Sequence, residues 1–224
     1  GPNARKLLGQ LTDADLSNDA FRFMRSQRIQ VAGIDAVAIR VSFSGDLGWE
    51  IYVPLEHQLA LYQALLDKGA ALGARPVGGR ALLSLRVEKG YGSWSREYSP
   101  EYWPQEVGLE RLIKLDKPEF LGREAYLAIK DNAPREKLVV VRIEQTESDA
   151  NGGEPVFLTD GTPVGRVSSG AYGHSVGASI ALCFIKTAQA VAGTELDIAI
   201  LGIPQRAVIL EKPPYDAAGE RLRA

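Results

Sequence analysis

The spacing of apolar residues changes several times along the chain. Residues 4 to 11 and about 17 to 24 carry helical spacing, with Leu7, Leu8 and Leu11, then Phe21 and Met24, on inner faces. Asn3 stands where the first helix would take its cap. From Ala36 the period drops to two. Val37, Ile39, Val41 and Phe43 share one face, and Ala36, Ala38, Arg40 and Ser42 the other. Ser44-Gly45-Asp46-Leu47-Gly48 is turn chemistry. Alternation then resumes, with Trp49, Ile51 and Val53 on one face and Glu50 and Tyr52 on the other. Two such runs around a turn predict an antiparallel hairpin.

Helical spacing returns after Pro54, where Leu55, Leu59, Tyr62, Leu65 and Leu66 predict an inward stripe that ends at Gly69 and Gly73. Residues 78 to 89 predict a second helix with Ala81, Leu82 and Leu85 inward, and 120 to 130 a third. The stretch YGSWSREYSPEYWP, residues 91 to 104, holds five aromatics and two prolines and is not one regular element. Asp131-Asn132-Ala133-Pro134 is the best linker. Beyond it, short β-type runs are separated by Gly, Asp-Gly and Pro-Pro. They predict a small all-β barrel or sandwich from about 136 to 216. The class is α+β, with domains at 1–133 and 134–224.

Composition narrows the function. The chain of 224 residues is 45% hydrophobic and 24% charged, which is globular. A net charge of −2 gives no bulk attraction for nucleic acid or an anionic membrane. The apolar runs are too short to span a bilayer. Cys183 is the single cysteine, so an internal disulfide and a cysteine zinc cluster are excluded; this fits a reducing, cytoplasmic setting. His57 and His174, the two histidines, lack ligand spacing, and no metal site is expected.

Glu50 is the residue that asks for an explanation, because a carboxylate interrupts a run of good strand formers. Two readings are open: it points at water, or it faces a ligand that carries N–H donors. Tyr52 shares its face and reads as packing or as a second contact. Arg80, at a helix start, pairs with a surface acid or grips a ligand carboxylate with its planar fork. Among the loop aromatics, Trp94 and Tyr91 are the candidates to border a ligand, and the alternative is that all five seal the seam between domains. Arg86 and Glu88 read as a structural ion-pair network, and Arg96-Glu97 as charge scatter.

Several stretches together resemble the glycine-cleavage T-protein family, the tetrahydrofolate-dependent aminomethyltransferases. SFSGDLGWEIYVP, residues 42 to 54, resembles that family's TGE-x-G-x-E-hydrophobic signature, and PVGGRALLSLRVEKGY its Arg…Leu-Arg-x-Glu helix. DGTPVGRVSSGAYG and IALCFI resemble two landmarks of its C-terminal barrel. The resemblance covers essentially the whole chain and keeps motif order and spacing. It implies the second half of a folate-binding α/β region followed by the barrel. It also implies that Glu50 accepts two N–H bonds from the pterin, and that Arg80 lies near the benzoyl-glutamate end. Trp94, Tyr52 and Tyr215 are further cofactor-binding candidates. The family's activating aspartate lies in a segment with no counterpart here, so no catalytic residue is assigned.

The stretch Glu88-Lys89-Gly90-Tyr91 followed by Trp94 resembles the folate domains fused behind flavin amine dehydrogenases acting on dimethylglycine, sarcosine and related N-methyl amines. That branch implies a small amine-derived one-carbon donor and FAD on an upstream flavin domain. The alternatives are a stand-alone T-protein working with a lipoyl carrier protein, or a non-catalytic folate-binding scaffold. The scaffold branch bears Lys-Gly-Cys where this chain has Lys-Gly-Tyr.

Overall fold

The computed structural model describes residues 1–144 and 147–224. The chain forms two compact units, one of Gly1–Leu85 with Asp216–Ala224, the other of Arg86–Tyr215.

The first unit is a small helix-and-sheet layer. Its elements are α1 (Ala4–Leu8), β1 (Ser26–Val31), β2 (Ile34–Ile39), β3 (Glu50–Tyr52), α2 (Gln58–Gly69) and the last helix of the chain, Glu220–Arg223. The strands form an antiparallel sheet in the order β1-β2-β3. Its core joins Leu8, Leu16, Phe21, Val31, Ala36, Ala38 and Leu61, with Trp49, Ile51 and Val53 packed against them.

Two expectations change here. No helix forms over 17 to 24. Asp15 accepts a bond from the Ser17 N–H at 2.8 Å and the Ser17 hydroxyl one from the Ala20 N–H at 3.3 Å. Such local side-chain bonds stabilise turns in place of a helix. Strand β1 follows instead; its half-polar sequence, SQRIQV, concealed the alternation of Gln27, Ile29 and Val31. On β2 the covered face is that of Ala36 and Ala38, and Arg40 just beyond the strand is buried with them, while Val37 and Ile39 are not buried. Ala36 and Ala38 share one buried cluster with Leu8 of α1 and Leu61 of α2. Arg40 is accommodated in the interior because its guanidinium donates to Asn18 Oδ1 at 2.6 Å, to the Phe21 carbonyl at 2.8 Å and to the Ala224 carbonyl at 3.0 Å. It also lies 5.6 Å over the Trp49 ring. Finally, the face of α2 that meets the core is centred on Leu61. Leu59 and Tyr62 are exposed, as is Leu55 in the turn of 3-10 helix ahead of it, because this segment carries more apolar residues than one sheet layer can cover. Asn3 makes no capping bond to α1.

Helix α3 (Gly79–Glu88) carries the division between units, since Leu85 closes the first and Arg86 opens the second. Its buried residues are Arg86, Val87 and Glu88; Ala81 and Leu82 are exposed, contrary to the expected stripe.

The second unit contains α4 (Arg123–Ile129) and a closed antiparallel barrel. The barrel strands are β4 (Glu136–Ile143), β5 (Pro155–Leu158), β6 (Pro163–Gly173), β7 (Ala178–Lys186), β8 (Glu195–Ile200) and β9 (Ile203–Ile209). They close in the order β4-β7-β6-β5-β8-β9. Closure leaves no sheet edge to pair elsewhere. Alternation fills the interior: Leu196, Ile198 and Ile200 of β8 meet Ala181, Cys183 and Ile185 of β7. The other face of β7, Ile180 and Leu182, packs under Val87, which is why IALCFI reads as unbroken apolar sequence. At Gly165 a Cβ would fall 2.0 Å from the Phe184 carbonyl oxygen, so the close approach of β6 to β7 demands glycine.

Residues 86–133 group with the barrel, so the compact units divide earlier in the chain than the linker at 131–134. The reason is polar. Glu106 accepts two bonds of 2.8 Å from Arg135, ahead of β4, and Glu97 is bonded to Ser168 and Ser169 of β6.

Candidate functional site

The open face of the three-stranded sheet is built by register. Ile39 stands opposite Glu50, Ala38 opposite Ile51 and Val37 opposite Tyr52. Ile51 turns into the core with Ala36 and Ala38, so Glu50 and Tyr52 are sent to the other side. Arg28 continues the row of Val37 and Tyr52, and Ser26 that of Ile39 and Glu50. A concavity of about 650 Å³ opens on this part of the sheet, with Arg28, Gln30, Asp35, Val37, Tyr52 and Pro54 in its lining. Gln30 Nε2 donates to Asp35 Oδ1 at 3.0 Å in the next cross-strand pair of β1 and β2 on this face.

Glu50 is exposed, and Tyr52 Oη donates to Glu50 Oε2 at 2.6 Å. That bond, with the negative charge behind it, raises the Tyr52 phenol above its ordinary value. Tyr52 is 54% exposed, so it is not packing. Among the described residues Glu50 Oε1 meets no protein donor. The pair presents an oriented carboxylate with free acceptor positions, beside the apolar side chains of Val37 and Ile39. Such a surface suits a flat ring with adjacent N–H donors.

Arg80 lies in the first unit, exposed at the start of α3 and without an ion pair among the described residues. Its guanidinium is free to meet a carboxylate.

Trp94 and Tyr215 belong to the second unit. Trp94 is 83% exposed. Tyr102 does pack, stacked on Phe184 at 4.1 Å, and Trp103 lies under Arg135 at 5.7 Å. Tyr215 is half-buried, its N–H bonded to the Glu88 carbonyl at 3.2 Å.

Glu97, read as surface charge, is fully buried and organises the loop that carries Trp94. Its Oε2 accepts from the Ser93 N–H at 2.7 Å and from Arg86 Nη1 at 3.3 Å, and its Oε1 from the Ser168 and Ser169 hydroxyls. Burial alone would raise this carboxyl. The hydroxyls of Ser169 and Ser168, the Ser93 N–H and the Arg86 charge outweigh burial and hold it below the usual range. Burial likewise lowers Arg86, against the pull of Glu97. The ion partner of Arg86 is Glu97 and not Glu88, whose Oε1 accepts instead from the Ser175 N–H at 2.9 Å. Only the aromatics around Glu97 in the sequence hinted that its surroundings are buried.

His57 and His174 are exposed, and among the described residues no group of three or more His, Cys, Asp or Glu side chains could hold a metal ion. No helix among the described residues is long and apolar enough to cross a membrane.

Residues 1–117 match the GCVT N-terminal domain and residues 136–216 the glycine cleavage T-protein C-terminal barrel domain. Mitochondrial dimethylglycine dehydrogenase of Homo sapiens is 36% identical over 214 residues, which are 95% of this chain and 25% of that protein. An aminomethyltransferase of Caldanaerobacter subterraneus subsp. tengcongensis is 31% identical over 215 residues, 96% of this chain and 57% of the relative. The crystal structure of the glycine cleavage system aminomethyltransferase T from Bartonella henselae superposes with a TM-score of 0.81 at 26% identity, over 95% of this chain and 57% of that one. The chain thus spans about a quarter to somewhat over half of the relatives it matches. With both of the family's regions matched in order, the chain belongs to the glycine cleavage T-protein family.

Proposed function

We propose that this protein serves tetrahydrofolate-dependent one-carbon transfer, as the folate-binding part of an N-methyl amine dehydrogenase of the dimethylglycine or sarcosine type. The observation that carries the reading is Glu50, an outward carboxylate held by Tyr52 with Oε1 free. Tetrahydrofolate fits this surface. Its aminopyrimidinone edge places a ring N–H and an NH₂ side by side, which a carboxylate accepts in two parallel bonds. Arg80 is free to meet the glutamate tail. When bound, the folate supplies the nitrogens that accept the carbon, and the residues of this chain bind and orient it. Trp94 and Tyr215 enter the reading on the resemblance alone. The modules are 1–133, the second half of the folate-binding region, and 134–224, the barrel domain.

The dehydrogenase branch is favoured by the higher identity to dimethylglycine dehydrogenase, 36% against 31% for the aminomethyltransferase. In this reading the longer, cytoplasmic protein holds FAD in a flavin domain ahead of Gly1. Tethering the two sites keeps the one-carbon unit at high local concentration for capture by folate. A stand-alone T-protein fed by a lipoyl carrier, and a folate-binding scaffold without catalysis, are the competing readings.

The test is calorimetric titration of the chain with tetrahydrofolate. Glu50→Gln keeps the shape but replaces one acceptor with a donor. Binding should weaken about 10- to 150-fold, while the melting temperature barely moves, since Glu50 is outside the core. Parallel loss of folding and binding would sink the assignment. For the branch, the longer protein should reduce flavin with an N-methyl amine and divert the carbon from formaldehyde when tetrahydrofolate is present. Methylene transfer from a lipoyl-bound amine instead would place it with the stand-alone enzymes.

A further inference from the structure

The Tyr52–Glu50 bond has a role of its own. A glutamate on an open strand face has three side-chain torsions and water on most sides. Left alone, its carboxylate samples many orientations, and a ligand that needs one of them must overcome that freedom. Here the backbone under the pair is fixed, because Ile51 between them packs against the core. The row containing Glu50 offers no charged partner: Ile39 stands opposite and Ser26 beyond it. The donor that meets the carboxylate is Tyr52, two residues on and on the same face, at 2.6 Å.

The geometry leaves the carboxylate usable. An ionised carboxylate has about four in-plane acceptor positions on its two oxygens. The tyrosine hydroxyl occupies one of them on Oε2. Oε1 and the second position of Oε2 stay open, the pair that two adjacent N–H donors of a planar ring require. We propose that Tyr52 is a positioning residue, whose hydroxyl sets the orientation of the Glu50 carboxylate so that it meets the paired donors of the pterin without a further ordering step. This rests on the folate reading above. The upward shift of the Tyr52 phenol pKa agrees with the same bond, since losing its proton would set a phenolate against a carboxylate.

The experiment has one arm without ligand and one with it. In the first, the ionisation of Tyr52 is followed by NMR with ring-labelled tyrosine in the unsubstituted chain and in Glu50→Gln. The expected result is a downward shift of the Tyr52 midpoint in the variant; an unchanged midpoint shows that the two side chains are not coupled and overturns the inference. In the second arm, tetrahydrofolate binding is measured for Tyr52→Phe, Glu50→Gln and the double variant. Tyr52→Phe should weaken binding about 3- to 10-fold, the worth of one hydrogen bond. The double variant should bind no more weakly than Glu50→Gln alone, because a residue that acts through Glu50 has nothing left to position. Losses that multiply would identify a direct ligand contact or a packing role and overturn the positioning role. Full affinity in Tyr52→Phe would do the same, leaving the folate reading intact if Glu50→Gln still weakens binding. No binding by the unsubstituted chain, or none of the loss in Glu50→Gln, overturns the folate reading and this inference with it.

Discussion

Replacing Glu97 with alanine should be among the most destabilising changes available in the second unit. The side chain is fully buried, and four groups converge on it: the Ser93 N–H at 2.7 Å, Arg86 Nη1 at 3.3 Å, and the hydroxyls of Ser168 and Ser169. Removing the carboxylate leaves the Arg86 charge buried, with the Tyr91 carbonyl at 3.1 Å and the Ser169 hydroxyl at 2.7 Å as its remaining acceptors. Stripping one partner from a buried ion pair costs about 3–5 kcal/mol. The 3.3 Å separation of Arg86 and Glu97 is long for a charge-assisted bond, so the hydrogen bonds to Ser93, Ser168 and Ser169 carry much of the loss. Glu97→Gln keeps an oxygen for Arg86 and Ser93. Its NH₂ group can face the serines, whose hydroxyls rotate to accept. Its cost should be smaller, about 1–3 kcal/mol. At about 2–4 °C per kcal/mol for a chain of this size, Glu97→Ala should lower the melting temperature by roughly 6–20 °C. Differential scanning calorimetry measures this, and the Arg86→Ala, Glu97→Ala double-mutant cycle isolates the pair. A fall below about 2 °C in Glu97→Ala, or strictly additive single losses, would show that the network does not anchor the loop bearing Trp94.

Two carboxyls held by hydrogen bonds make the second unit acid-sensitive. Glu97 and Glu106 both stand below their ordinary value of 4.5, Glu106 chiefly through its bond to Arg135. A depressed carboxyl contributes stability that is fully present above its unfolded value and is lost as pH falls through the folded one. Urea midpoints should therefore hold from pH 7 to about 5 and drop below 4.5, with a shallower drop in the Glu97→Gln, Glu106→Gln double variant; equal slopes would contradict the assignment. Cys183 is fully buried in the barrel, and burial raises its thiol. It should ignore an aromatic disulfide reagent in the native protein and react fully in denaturant, and fast native labelling would mean the barrel opens readily.

Much of the fold was legible because local patterns carry it. The alternation in TELDIAI, the Asp160-Gly161 turn and the unbroken IALCFI run each predict a barrel strand or its connection, and each is where it was expected. The outward placement of Glu50 and Tyr52 also follows from period two, once Trp49, Ile51 and Val53 claim the core. Tertiary structure decided the points at which local rules allow two answers. Period two defines two faces of β2 but not which one is covered, and packing chose the one with the small alanines and Arg40. Helical spacing on α2 offered more apolar residues than one layer could bury, and the core took Leu61 while Leu59 and Tyr62 stayed outside. Glu97 belongs to the same class. A carboxylate in a loop is surface charge by default, and it becomes an interior anchor only because Ser168 and Ser169, more than seventy positions away, come to it. By itself the sequence determined periodicity, turns and the family motifs, because these are set by neighbours along the chain. Which face is buried, and which charges have partners there, depended on contacts that exist only once distant segments meet.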